Sequence, residues 1–137
     1  MANRQVVLVT GASSGIGFET ASLLASRGYK TFGTSREPDT RAGPKGVEIL
    51  KLDVRSDEDA RTVAAEILRR ERRLDVLVNN AGFGLFGAAE ETSLEEARGQ
   101  FETNFWGAVR MTVAVKGSRR RICLTVCRTS VANSRAS

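Results

Sequence analysis

Two spacings of apolar residues alternate along the chain as far as about residue 112. Gln5 to Val9 is a short β-branched run without polar alternation, the pattern of a strand buried on both faces. Residues 15–27 then place Ile16, Thr20, Leu23 and Leu24 on one side of a helix that Gly28 stops. Lys30 to Thr34 reads as a second strand, and the stretch REPDTRAGPKG, which holds both prolines, as a loop. Val47 to Leu52 is a third strand. Ser56 and Asp59 form a capping-box pattern that opens a helix with Ala60, Val63, Ala64, Ile67 and Leu68 on one face. That helix ends in Arg69 and Arg70, which suit the negative end of its dipole. Leu74 to Val78 is a fourth strand. Thr92 and Glu95 supply a further cap. The helix after it, 93–116, sets Leu94, Ala97, Phe101, Phe105, Ala108 and Met111 at steps of three and four.

Strands alternating with helices imply βαβ units. The expected fold class is α/β: a Rossmann-like, doubly wound parallel sheet with right-handed crossovers. Its expected strand order is 3-2-1-4, with a fifth strand beyond if RICLTV at 121–126 forms one. Four to five strands make this sheet incomplete. No internal repeat interrupts the first 112 residues.

Charge changes the picture at one end only. The 137 residues carry 21 basic and 16 acidic side chains, a net charge of +5. Six of the basic residues (Lys116, Arg119, Arg120, Arg121, Arg128 and Arg135) follow residue 112 with no acid among them. Without those six, 15 basic face 16 acidic side chains, and residues 1–112 carry −1. The chain therefore divides into a domain, 1–112, and an atypical basic tail, 113–137, whose end is expected to be disordered. Such a tail can meet nucleic acid or an acidic membrane; a solvated tail is the preferred reading, with neither as partner. The 41% hydrophobic content suits a soluble domain, no apolar run reaches the ~20 residues of a membrane span, and no signal peptide is expected at the start. A cytoplasmic location is expected. Cys123 and Cys127 would lie about 13 Å apart on a strand, too far for a disulfide, and with no His no metal site is expected.

The chemistry gathers at LVTGASSGIG, residues 8–17. Strand, glycine turn and helix make an anion site, because unpaired N–H groups at a helix start point outward and the helix dipole favours negative charge there. The spacing is Gly11-x-x-x-Gly15-x-Gly17. With LDV at 52–54, NNAG at 79–82 and NFWG at 104–107, it resembles the short-chain dehydrogenase/reductase family over roughly residues 5–112. The resemblance implies that Gly11, Ser13, Ser14, Gly15, Ile16 and Gly17 surround a pyrophosphate. It implies that Asp53 and Val54 hold the adenine, that Asn80 and Gly82 line the ribose and nicotinamide side, and that Asn104 holds a water of the catalytic proton relay. The implied reaction is hydride transfer between a nicotinamide cofactor and a small carbonyl or secondary alcohol. The helix 93–116 would pair between subunits of a homo-oligomer. At the end of the second strand Ser35 stands where an acid would accept from a ribose hydroxyl, and Arg36 follows with donors suited to a phosphate. NADP(H) is favoured, and Glu37 and Asp39 leave NAD(H) open.

The family's Tyr-x-x-x-Lys pair and strand-end Ser have no counterpart. The one tyrosine, Tyr29, opens the second strand, and the one lysine after Lys51 is Lys116. The tail reads as a truncated or frameshifted continuation, and the chain as catalytically incomplete. The alternative is a nucleotide-binding module that never catalysed.

Overall fold

Strand β1 (Val6–Val9) is buried at every position, and the other strands are laid out on either side of it. The structure, a computed structural model, describes residues 4–38, 40, 43–116 and the backbone of 122–125. In chain order β1 is followed by α1 (Gly15–Ser26), β2 (Lys30–Ser35), β3 (Val47–Lys51), α2 (Asp57–Glu71) and β4 (Val76–Asn79). A 3-10 turn at Ala89–Glu91 leads to α3 (Leu94–Phe101), a π-helical segment at Glu102–Trp106, α4 (Gly107–Ala114) and β5 (Ile122–Thr125). The sheet order is β3-β2-β1-β4-β5, and every pairing is parallel. The doubly wound α/β sheet expected from the apolar pattern is thus the fold, with the fifth strand in place beside β4.

Alternate residues of β1 feed two cores. Val6 and Leu8 join Phe32, Leu77 and the α2 face of Ala60, Val63, Ala64 and Ile67, closed from the side of α4 by Met111 and Val115. Val7 and Val9 meet Ala12, Ala21 and Val78, with Leu24 of α1 packed over them. Both faces of the strand being covered explains why its sequence is an unbroken apolar run. At its start, the Val6 N–H donates to Asp75 Oδ2 at 2.8 Å while the Asp75 N–H donates to Val6 O at 2.9 Å.

Three local expectations need correction. The cap before α3 is Ser93 with Glu96, one position later than Thr92 with Glu95: Ser93 Oγ accepts from the Glu96 N–H and the Glu96 carboxylate accepts from the Ser93 N–H. The Ser56 cap is only half a box. Its hydroxyl accepts from the Asp59 N–H, but the Asp59 carboxylate turns to the Asp53 N–H at 2.9 Å. The stretch 93–116 is not one α-helix, because the π segment divides it. Met111 is buried as expected, whereas Leu94, Phe101 and Phe105 are exposed. Among the described residues, no helix is long and apolar enough to cross a membrane.

Candidate functional site

The chain leaves β1 toward β2 and β3 on one side and leaves β4 toward β5 on the other, so the strand order reverses between β1 and β4, and the loop after β1 lies at that fork, at the carboxyl ends of the strands. Gly11 (φ +65°) and Gly15 (φ +57°) take the left-handed conformation that turns the strand sharply into α1. Thr10 and Asn80 fix the loop from below. Thr10 Oγ1 accepts from the Asn80 and Ala81 N–H groups, each at 3.0 Å. Asn80 Nδ2 donates to Thr10 O and Gly11 O, also at 3.0 Å. From the other side, Gly11 N donates to Thr34 Oγ1 at 3.2 Å and Ala12 N to Thr34 O at 2.9 Å. The loop is therefore tied to β2 and β4 at once. Ser14, the N-cap of α1, makes no side-chain cap, and the first turn carries no acid. The positive end of that helix is left for an anion from outside.

A cleft of about 550 Å³ opens over this loop. Of the residues expected from sequence, Gly11, Ser13, Ser14, Arg36, Asp53, Val54 and Gly82 line it. Gly15, Ile16 and Gly17 form the first turn of α1, with Ile16 exposed and Gly17 buried. Asn80 lies buried behind the loop rather than in the wall. Asn104, in the π segment, also acts one step removed. Its Oδ1 accepts from the Phe83 N–H at 2.9 Å and its Nδ2 donates to Phe83 O. Gln100 Oε1 accepts from the Leu85 N–H at 3.0 Å, so two side chains on successive turns hold the segment after β4 by its backbone. Tyr29 sits before β2, at the opposite end of the sheet from the cleft.

Several residues that shape the site were missed in the sequence. Thr10, just past β1, has a hydroxyl that organises three backbone groups: it accepts from the Asn80 and Ala81 N–H groups and donates to Val78 O. Arg110 ties the segment after β3 to the π segment from behind the cleft: Nη1 donates to Val54 O and Nη2 to Glu102 Oε1, both at 2.8 Å, and Nε pairs with Asp57. Gly107 makes room for this approach, since a Cβ there would stand 2.7 Å from Val54 Cγ2. Arg55 grips Asp53 with its guanidinium. That hydrogen-bonded cation holds the Asp53 carboxyl below its ordinary value, although burial pushes the other way. The one sequence signal for it was an arginine two places after an aspartate, the spacing at which an Asx turn returns a side chain onto its own backbone.

Such a crevice, outside the carboxyl ends of the strands at the point where their order reverses, is where open α/β proteins take their ligands. The family model described as short chain dehydrogenase matches residues 5–121, nine residues past the boundary at 112 read from sequence. The 3-ketodihydrosphingosine reductase of Bacteroides thetaiotaomicron is 43% identical over 111 residues, 81% of this chain and 40% of that protein. Human retinol dehydrogenase 8 is 40% identical over 130 residues, 85% of this chain and 41% of that protein. A short-chain dehydrogenase from Streptomyces avermitilis superposes with a TM-score of 0.75 at 42% identity, over 84% of this chain and 44% of that one. The alcohol dehydrogenase of Thermococcus sibiricus complexed with 5-hydroxy-NADP gives 0.75 at 32% identity, over 84% and 53%. The chain belongs to the short-chain dehydrogenase family. It spans about 40% of the length of the curated relatives it matches.

Proposed function

We propose that this chain is the dinucleotide-binding portion of an oxidoreductase that exchanges a hydride between NADP(H) and a small carbonyl or secondary alcohol. The observation that carries the reading is the uncapped start of α1 opening onto the cleft, with glycines where side chains would intrude. A Cβ on Gly11 would stand 2.9 Å from Ala81 Cα, and one on Gly82 would stand 2.7 Å from Asn104 Oδ1. Those glycines let the loop after β1 pack against Ala81 and the turn after β4 pack against Asn104, which sets the uncapped helix start at the cleft, where its backbone N–H groups suit a pyrophosphate. When bound, the cofactor supplies the hydride chemistry. The chain's own part is to hold it: Gly11, Ser13, Ser14, Gly15 and Ile16 at the pyrophosphate, Asp53 and Val54 at the adenine and Gly82 toward the nicotinamide, with Gly17 and Asn80 setting the glycine loop from behind. Asn104 fixes the Phe83 backbone beside that end and can position a water there.

Arg36 supports NADP(H) over NAD(H). It stands at the end of β2, exposed on the cleft wall, and its guanidinium has no hydrogen bond or ion pair among the described residues. A charge-assisted contact to phosphate is worth roughly 1.5–3 kcal/mol, so NADPH should bind about tenfold or more tighter than NADH. Calorimetry with both nucleotides tests this. Arg36→Ala should erase most of the difference, and equal or tighter binding of NADH by the unaltered chain would refute the assignment.

One observation favours a second reading, binding without turnover by these 137 residues. Their sole tyrosine lies at the far end of the sheet, and no Tyr-x-x-x-Lys occurs in them. Without a proton donor within reach of the substrate oxygen, turnover should be down by about 10²–10⁴-fold. NADPH oxidation with a panel of small aldehydes and ketones measures it. Turnover at a rate ordinary for such enzymes would show that a group in this chain performs the acid step.

A further inference from the structure

Asp53 does not offer a free carboxylate to the cleft. Arg55 Nε lies 3.0 Å from Oδ1 and 3.2 Å from Oδ2, Nη2 lies 2.7 Å from Oδ2, and the Arg55 backbone N–H donates to Oδ1 at 2.9 Å. One residue thus takes up most of the acceptor capacity of both oxygens. The neighbourhood gives this grip a consequence. Ser35 pairs with Lys51 across β2 and β3, and the Leu52 N–H donates to Ser35 O at 2.9 Å. Arg36 and Asp53 therefore leave adjacent strands side by side, about one strand spacing of ~5 Å apart at the backbone. Both line the cleft, together with Arg55. Arg36 also lowers the Asp53 pKa through space, so the two charges sense each other. An uncovered carboxylate at Asp53 would repel any phosphate that Arg36 attracts.

We propose that Arg55 is a specificity-determining positioning residue: by holding and neutralising Asp53, it lets the Arg36 end of the cleft accept a dinucleotide with a phosphate on its adenosine ribose. The inference rests on the dinucleotide reading above. Arg55 acts through Asp53 and needs no contact with the phosphate. Its side chain is 51% exposed, so replacing it leaves the core untouched. Uncovering one negative charge at this range should lower the preference for the phosphorylated nucleotide roughly fivefold at low salt, and less as salt is added.

The experiment is calorimetry of the full chain with NADPH and with NADH, read as the ratio of the two affinities. Four proteins are compared: the unaltered chain, Arg55→Leu, Arg55→Lys, and the double variant Asp53→Asn with Arg55→Leu. Arg55→Leu should lower the NADPH:NADH ratio about fivefold. Arg55→Lys keeps a cation beside Asp53 and should retain most of the ratio. The double variant should restore it, because the exposed charge is gone. Any loss of adenine contact affects both nucleotides alike and cancels in the ratio. An unchanged ratio in Arg55→Leu overturns the proposal, since a purely structural role would weaken both ligands equally. A fall that Asp53→Asn does not restore also overturns it, because Arg55 would then be meeting the phosphate itself. If the unaltered chain binds neither nucleotide, the dinucleotide reading fails and takes this inference with it.

Discussion

A methyl group on Gly17 would stand 2.2 Å from Gly11 O and 2.3 Å from Asn80 Nδ2. Neither neighbour can give way. The carbonyl belongs to a loop tied to two strands, and the amide is the donor that ties it. Gly17→Ala should therefore cost about 3 kcal/mol of stability, measured by urea denaturation, and should weaken NADPH binding in whatever fraction stays folded. Asn80→Ala removes the same tie from the other side. It strips Thr10 O and Gly11 O of a buried donor, and a loss of about 2 kcal/mol is expected. The three glycines of the turn were legible in the sequence because their spacing is local. The role of Asn80 as the pin beneath the turn was not, since its partners lie 69 and 70 positions away.

Helix α2 illustrates charge organised within one element. Glu66 accepts from Arg69 and Arg70, three and four positions on, and Arg70 also reaches Glu48 on β3. The hydrogen bonds from Arg69 and then Arg70 pull the Glu66 carboxyl down to about 2 from 4.5. A carboxyl with its folded value depressed adds stability above its unfolded value and loses it as pH falls toward the folded one. Stability should thus rise between about pH 2 and pH 4.5, and Glu66→Gln should flatten that part of a denaturation-midpoint profile. The ion pairs lie at the surface, so the change should shrink in high salt. At α3, Ser93→Ala should cost about 1 kcal/mol, while Thr92→Ala should cost little, because the capping box uses Ser93. The positions of α1, α2 and the strands were legible to within about two residues, since both helices carry an apolar period bounded by Gly28 or Ser56 and the strands are short apolar runs between them. The sequence failed at 93–116 for a physical reason. A π turn holds one residue more than an α turn, and one residue is about 100° of rotation. Apolar positions counted at α-helical steps across Glu102–Trp106 therefore do not share a face. Met111 reaches the core, while Phe101 and Phe105 point to solvent.

Over the whole molecule, the exposed apolar residues are unevenly spread. Leu94, Phe101, Phe105, Trp106, Val109 and Val113 all belong to the α3–α4 stretch. Trp106, Val109 and Val113 line a shallow groove of about 350 Å³ against Ala60 of α2. Contiguous apolar surface of this kind drives association in water. The chain should self-associate with rising concentration, and Val113→Lys should lower the association constant in sedimentation while leaving NADPH binding unchanged. The apolar stripe was readable in the sequence, but which of its members lack a cover depends on the fold.

The position of β1 between β2 and β4 also sets an order in time. Its contacts with β2 join residues such as Val6 and Lys30, whereas those with β4 join residues such as Val7 and Val76, far more distant along the chain. Closing the longer loop costs more chain entropy before any contact repays it, so docking of β4 is expected to be the late event. Thr10 meets Asn80 only through that docking, and until then the turn after β1 has no floor. A nucleotide should find nothing to bind in the transition state. Saturating NADPH is then expected to slow unfolding in stopped-flow denaturant jumps while leaving the refolding rate where it was.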